Sequence, residues 1–296
     1  NLFAVKTGSQ FPDRVCMIGA HYDDVPTGAI APGADDNASG VAAVMEIARI
    51  LSTTDFPNTI VLALWDEEEL GLIGSSAYTA GNVHGDEFIG YINLDMIGWD
   101  GNDDHKAELH VRPIGNSLQL ADLVLKAKSD YNIDLELEVV NPGSINTDHY
   151  SFWTKGYTAV GINEEYVGDF NPYYHSTADV FSALNIPFLD ESAKLALVSF
   201  LKMAYTLPED EAIKQVLVYP NPSTSSINLA FKQVIQSPVR VRVVDNTGRI
   251  LIDQTEEQFE TIALNIDQLE AGKNIVYITM DEKGKTVSIM KQKSFL

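Results

Sequence analysis

The chain has 296 residues, 45% hydrophobic and 21% charged, which suits one large α/β domain or a mid-sized domain plus a small one. Its net charge of −22 is the wrong sign for a phosphate-binding surface, and no apolar run approaches the ~18 residues of a membrane helix. Nucleic acid is therefore a poor partner, nothing spans a bilayer with a helix, and the single cysteine, Cys16, leaves no internal disulfide and no cysteine-built metal site.

Asn1 opens the chain without a methionine, signal peptide or basic leader, which reads as a processed protein or a fragment. Val15 to Ala20 is a short apolar run ending at HYDD, and Cys16 inside it reads as a small buried hydrophobe. Asn37 or Ser39 caps a helix whose apolar face is Val41, Val44, Met45, Ala48 and Leu51. Thr59 to Trp65 and Phe88 to Leu94 are continuous strand-like runs, ending at DEEEL and at Asp95. Leu118 to Lys128 reads as a helix, Leu135 to Val140 and Tyr157 to Ile162 as strands, and Phe188 to Tyr205 as a last helix. Apolar strands alternating with helices predict an α/β fold, a mainly parallel sheet with helices on both faces. Ligands collect beyond the carboxyl ends of such strands. HYDD, DEEE and NLD all fall there.

The texture changes after residue 207. Residues 1–207 carry 30 Asp/Glu against 10 Lys/Arg, a balance of −20, whereas residues 208–296 carry 12 against 10. Short strand candidates follow one another: Ile227 to Phe231, Val239 to Val244, Ile250 to Gln254, Thr261 to Ile266, Ile275 to Met280 and Val287 to Lys291. DNTGR and DEKGK read as hairpin turns. The expectation is a catalytic domain over 1–207 and a small all-β sandwich over 208–296, joined by the polar stretch Pro208 to Gln215.

Five segments concentrate histidine and carboxylate: GAHYDD with His21, PGADDNASG with Asp36, WDEEELG with Glu68 and Glu69, NLDMIG with Asp95, and YYHSTAD with His175. Two imidazoles and several carboxylates suit a divalent transition metal, zinc first. Three of these carboxylates, Asp36, Glu69 and Asp95, exceed what one zinc needs; their three negative charges and one hydroxide balance two Zn²⁺, which favours a two-metal hydrolytic site. In this order the five segments resemble the co-catalytic zinc aminopeptidases typified by secreted bacterial leucine aminopeptidases, a family that also holds glutamate carboxypeptidases and glutaminyl cyclases. The likeness covers roughly residues 1 to 205.

The resemblance implies two Zn²⁺ ions and a role for each residue. His21 and Asp95 bind one zinc, Glu69 and His175 the other, and Asp36 bridges them. Asp23 orients His21. Glu68 stays off the metals as general base, passing a proton from the attacking water to the leaving amine. Tyr174 either polarises the substrate carbonyl or is a packing tyrosine. Asp148 and His149 in TDHYSF either lie near the substrate or are a helix-capping aspartate and a surface histidine. His84, His105 and His110 read as solvated or structural, Asp66 and Glu67 as field-setting or solvated, and DGNDD (100–104) as a polar turn rather than a calcium loop. Carboxypeptidase relatives need an arginine cluster, and only the scattered Arg14, Arg49 and Arg112 are present in the first part. The intact DDNASG argues against a glutaminyl-cyclase-like acyltransferase, which remains the alternative. An amine-ended peptide is the expected substrate. Members of the family usually carry helices before the strand equivalent to Leu2 to Thr7, and these are missing here.

The last 90 or so residues are similar to the sorting domains of proteins exported by the type IX secretion system. The likeness rests on VYPNPSTSSINL (Val218 to Leu229), VRVVDNTGR, LEAGKNIVYIT and a basic tail KQKSFL. It implies contact with the type IX machinery and a secreted or outer-surface protein. The other reading is an accessory sandwich that binds glycan or only stabilises.

Overall fold

The apolar runs of the first part become the middle of one seven-stranded sheet. In this computed structural model, residues 1–25, 30, 32–81, 87–206, 216–235, 238–244, 249–280 and 283–293 are described. The chain divides into two compact units, Asn1–Thr206 and Leu207–Leu296.

In the larger unit the strands are β1 (Leu2–Lys6), β2 (Phe11–His21), β3 (Asn58–Trp65), β4 (Phe88–Leu94), β5 (Lys106–His110), β6 (Glu136–Val140) and β7 (Ala159–Glu164). They lie in the order β1-β3-β2-β4-β7-β5-β6. The central four are parallel, β1 runs antiparallel to β3, and β5 runs antiparallel to β7 with β6 parallel to it. The helices are α1 (Ala38–Leu51), α2 (Ile73–Ala80), α3 (Ser117–Tyr131), α4 (His149–Trp153) and α5 (Ile186–Ala204).

The two-residue alternation of a strand divides the core. Cys16, Ile18 and Ala20 of β2 pack with Ile47 of α1, Val124 of α3 and Phe200 of α5. Val15 and Met17 pack on the opposite face with Trp65, Tyr91 and the α4 residues Phe152 and Trp153. This is the expected mainly parallel sheet, covered on both faces. The α1 face is rotated from the expected one. Ala43, Val44, Ile47 and Leu51 are buried, while Met45 is 61% exposed. A step of 100° beyond Val44 carries Met45 to the solvent flank, and Ile47 takes the inward place.

The smaller unit is all β. A four-stranded sheet holds β11 (Ile250–Glu256), β10 (Val239–Val244), β13 (Gly272–Met280) and β14 (Lys283–Lys291) in that order. A three-stranded sheet holds β12 (Phe259–Asn265), β9 (Ser226–Ile235) and β8 (Leu217–Tyr219). Both enclose one apolar cluster that includes Leu229, Phe231, Val241, Ile262, Leu264, Val276 and Ile278. Within the YPNPS stretch, Asn221 accepts the Met290 N–H at 2.8 Å and donates to Ser288 O at 3.1 Å, fastening the motif to β14. Residues 245–248 of DNTGR, 281–282 of DEKGK and the expected linker 208–215 lie outside the described residues.

Candidate metal centre

Parallel β3, β2, β4 and β7 end along one edge of the sheet, and the acidic segments sit on that edge. His21 closes β2 beside Trp65, the last residue of β3. Asp66 to Leu72 turns from β3 into α2, Asp95 follows β4, and His175 lies in the loop after β7. Asp36 precedes α1, whose start is tied down by Asn37. The Asn37 side chain accepts the Gly40 N–H at 3.1 Å and donates to Leu94 O at 2.9 Å. Gly40 permits this approach, since a Cβ there would stand 2.9 Å from the Leu94 carbonyl oxygen.

The side chains converge around Asp36. His21 Nε2 lies 3.2 Å from Asp36 Oδ1 and 3.3 Å from Asp95 Oδ1. His175 Nε2 lies 3.1 Å from Asp36 Oδ2 and 2.9 Å from Glu69 Oε2. Each imidazole thus meets its own oxygen of the one carboxylate. Asp36 Oδ2, Glu69 Oε1 and His175 Nε2 are buried without a hydrogen-bond partner despite these separations. Ligand atoms of His21, Glu68 and Asp95, and of His21, Asp36 and Glu69, lie within 4.8 Å of one another. Both glutamates therefore stand at ligand distance.

The electrostatics match. Burial works against charging His21, yet Asp95, Asp23 and Asp36 hold its imidazole well above its ordinary value. Burial and the Asp95 charge push Glu68 up to about 10, and burial with Asp36 pushes Glu69 up to about 8. So many acids in one dry place suit the ionised state only when cations join them. The orphaned oxygens and the imidazole nitrogen facing them fit divalent metal, and the donor set of nitrogen and carboxylate suits zinc.

Asp23 sits behind this group. Its carboxylate accepts the N–H of Glu68 at 3.0 Å and of Glu69 at 3.1 Å. Burial alone would raise its pKa, but His21 and these two N–H groups bring it down. The nearer acceptor to His21 Nδ1 is the Asp23 carbonyl at 3.2 Å, with the carboxylate at 3.6 Å. Tyr174 is half-exposed and stacks on the His175 ring, centroids 3.7 Å apart. Burial, then Asp36 and Glu69, push its hydroxyl up.

Other expected residues fall differently. Asp148 is no cap: it is fully buried and makes no side-chain bond to the α4 backbone. Burial pushes its carboxyl up to about 7, and neither oxygen has a hydrogen-bond partner. His149 is not a surface group. It is wholly buried between Thr147 and the Ser144 carbonyl, and burial, then His110, pull its pKa well below the usual value. Gly161 makes room, because a Cβ there would stand 2.5 Å from the His149 ring. His110 is structural, paired with Glu108 at 2.7 Å, while His105 is partly exposed, 3.5 Å from Asp134. Asp66 is partly covered and Glu67 is exposed. DGNDD is a turn closed by Asp100 accepting the Asp104 and His105 N–H groups. His84 lies outside the described residues.

Three acids are not apparent as site residues in the sequence. Asp179 accepts the N–H groups of Asp35 and Asp36 at 3.0 and 3.1 Å, fixing the loop that presents Asp36. Buried Asp35 accepts from Gly98 N–H and Asn171, and buried Glu164 accepts from the Trp99 and Asn171 N–H groups. Their only signal is proximity to the motifs, as neighbours in DD, NEE and STAD.

Residues 1–199 match the profile described as Peptidase family M28, and residues 217–292 match that described as Secretion system C-terminal sorting domain. The second match marks the protein for export by the type IX route, to the cell surface or beyond. A probable leucine aminopeptidase of Trichophyton verrucosum is 30% identical over 210 residues, 67% of this chain and 55% of the relative. A probable aminopeptidase of Saccharomyces cerevisiae is 29% identical, over 64% of this chain and 54% of its own. The chain thus spans about half the length of these curated relatives. Among solved structures, the LapA aminopeptidase of Legionella pneumophila is 27% identical with TM-score 0.59, covering 66% of this chain and 52% of that one. The zinc aminopeptidase BSAP of Bacillus subtilis, 24% identical with TM-score 0.61 over 69% and 49% of the two chains, shares the fold.

Proposed function

This chain belongs to peptidase family M28, and from that premise we propose that it is an exported aminopeptidase with a two-zinc centre. Residues 1–207 are the catalytic domain and residues 208–296 the sorting domain that meets the type IX machinery. The observation that carries the reading is Asp36, one carboxylate whose two oxygens face two different imidazoles. His21 and Asp95 would hold one zinc, Glu69 and His175 the other, with Asp36 shared between them. Bound there, the ions supply Lewis acidity and lower the pKa of a coordinated water.

The chain's own groups do the rest. Glu68 is the general base. It takes the proton of the attacking water and delivers it to the leaving amine. Asp23 fixes both glutamates through their N–H groups, so that adjacent side chains serve different purposes. Tyr174, partly exposed beside His175, would steady the substrate carbonyl. The acidic surroundings favour a substrate that carries a free amine.

The test is metal content alongside turnover of leucyl anilide, an N-acetylated peptide and an N-terminal glutamine peptide. Two ions per chain, cleavage of the free amine and no cleavage of the acetylated peptide are expected. One tightly held ion with full activity overturns the two-zinc centre. Equal turnover of the acetylated peptide overturns the aminopeptidase, and ammonia release from the glutamine peptide identifies a cyclase.

A further inference from the structure

The turn that presents Glu68 is held from two sides. On one side its amides bond to Asp23. On the other, the start of α2 bonds back onto it. The Gly71 and Leu72 N–H groups reach Glu68 O at 2.8 Å, and those of Ile73 and Gly74 reach the carbonyls of Glu67 and Asp66 at 3.0 Å. Any shift of α2 along its axis therefore moves the Glu68 backbone.

Beside the packing of Tyr78 on Phe152, α2 meets α4 through a cluster of hydroxyl groups. The Ser75 hydroxyl donates to Ser151 Oγ at 2.9 Å, and Ser76 Oγ shares the same oxygen at 3.0 Å. Ser75 and Ser151 are almost inaccessible to solvent. Asp148 lies within reach of the same Ser75 hydroxyl. The site offers no apolar reason for two buried serines and a buried acid. An alanine and a valine would pack such a helix contact without hydroxyl groups to satisfy.

We propose that Ser151 is a positioning residue for the general base: by bonding Ser75 and Ser76 together, it fixes α2 against α4 and so sets where the turn holds Glu68. The proposal rests on the reading of Glu68 as base. It involves no contact between Ser151 and substrate, so its effect falls on the chemical step. A small displacement of a reacting group slows chemistry by far more than the strength of one hydroxyl hydrogen bond would suggest.

The experiment uses the full chain loaded with zinc, as wild type, Ser151→Ala, Ser75→Ala, their double variant and Glu68→Gln. It measures kcat, KM for leucyl anilide and bound metal. Ser151→Ala is expected to lower kcat roughly tenfold with KM and metal content unchanged. The double variant should be no worse than Ser151→Ala, because the two hydroxyl groups act as one unit. If Ser151→Ala does not fold, Ser75→Ala reads the same effect with Ser76 still bound, and a fall in kcat alone supports the proposal. Unchanged kcat, or a loss of metal or rise in KM that accounts for the reduced rate, overturns it. Glu68→Gln separates the two failures. If that variant keeps both metals and full activity, the base assignment falls and this proposal with it. If it is inactive while Ser151→Ala and Ser75→Ala are normal, only the positioning role falls.

Discussion

The two units bury polar groups on different terms. In the larger one, Asp35, Asp36, Glu68, Asp95, Asp148 and Glu164 are all nearly inaccessible, and they gather around one end of the parallel strands. In the smaller one, the buried polar side chains among the described residues are Ser223, Asn274 and Lys291. Each of these three reaches a main-chain carbonyl: Ser223 that of Ser226, Asn274 those of Glu270 and Gly272, and Lys291 that of Thr224. The smaller unit thus satisfies these three on its own main chain. A fold that gathers buried acids needs cations or chemistry to justify them.

That contrast breaks most visibly when metal is withdrawn. A chelator should abolish turnover and lower the melting transition of the larger unit alone. A ligand at 100 times its Kd stabilises the native state by about 2.7 kcal/mol. Calorimetry with and without chelator checks this, and an equal shift of both transitions would erase the distinction between the units. Glu68→Gln should keep both metals and lower kcat by roughly 10²-fold or more. Glu69→Gln should release metal. The opposite pattern, read by elemental analysis, exchanges the two glutamates, both of which have a carboxylate oxygen within 4.8 Å of a His21 ring nitrogen.

The cores offer a smaller test. Phe200 on α5 and Ile278 on β13 are both fully buried, each within its own unit's cluster. Phe200→Ala should cost about 3–5 kcal/mol and Ile278→Ala about 2–5 kcal/mol. Each should lower only its own unit's transition in a thermal scan. One cooperative transition that responds to both would show that the units fold as a single body.

The same contrast explains what is legible in the sequence. β3 and β4 are legible because continuous apolar runs of strand length admit few other fates. α2 is not, because IGSSAYTA is poor in strong helix formers and owes its helix to its bonds with the Glu68 turn and α4. β5 is hidden by KAELH, whose Lys106, Glu108 and His110 share one face while Ala107 and Leu109 enter the core. At the centre, His21, Asp36, Asp95 and His175 are legible as motif residues at strand ends and in loops. The burial of Asp148 and His149, and the hold of Asp179 on the Asp36 loop, are not. Those depend on which chain segments meet, and in sequence each is one polar residue among many.

The smallest expected effect on chemistry is none, from removing residues 207–296. Every proposed ligand, together with Glu68 and Asp23, precedes residue 176. The serine contact proposed to position Glu68 lies between α2 and α4, also inside the larger unit. Among the described residues, the apolar clusters of the two units share no member. The smaller unit's near-neutral balance, against −20 for residues 1–207, gives no electrostatic reason for the site to depend on it. A chain ending at residue 206 should therefore keep its metals and its full-length kcat and KM on leucyl anilide. In the producing cell it should fail to reach the surface or the medium, because the segment that matches the sorting domain is gone. A purified short chain that holds its metals but turns over slowly would show that the sandwich helps to build the site. Normal export of the short chain would show that residues 207–296 are not the address.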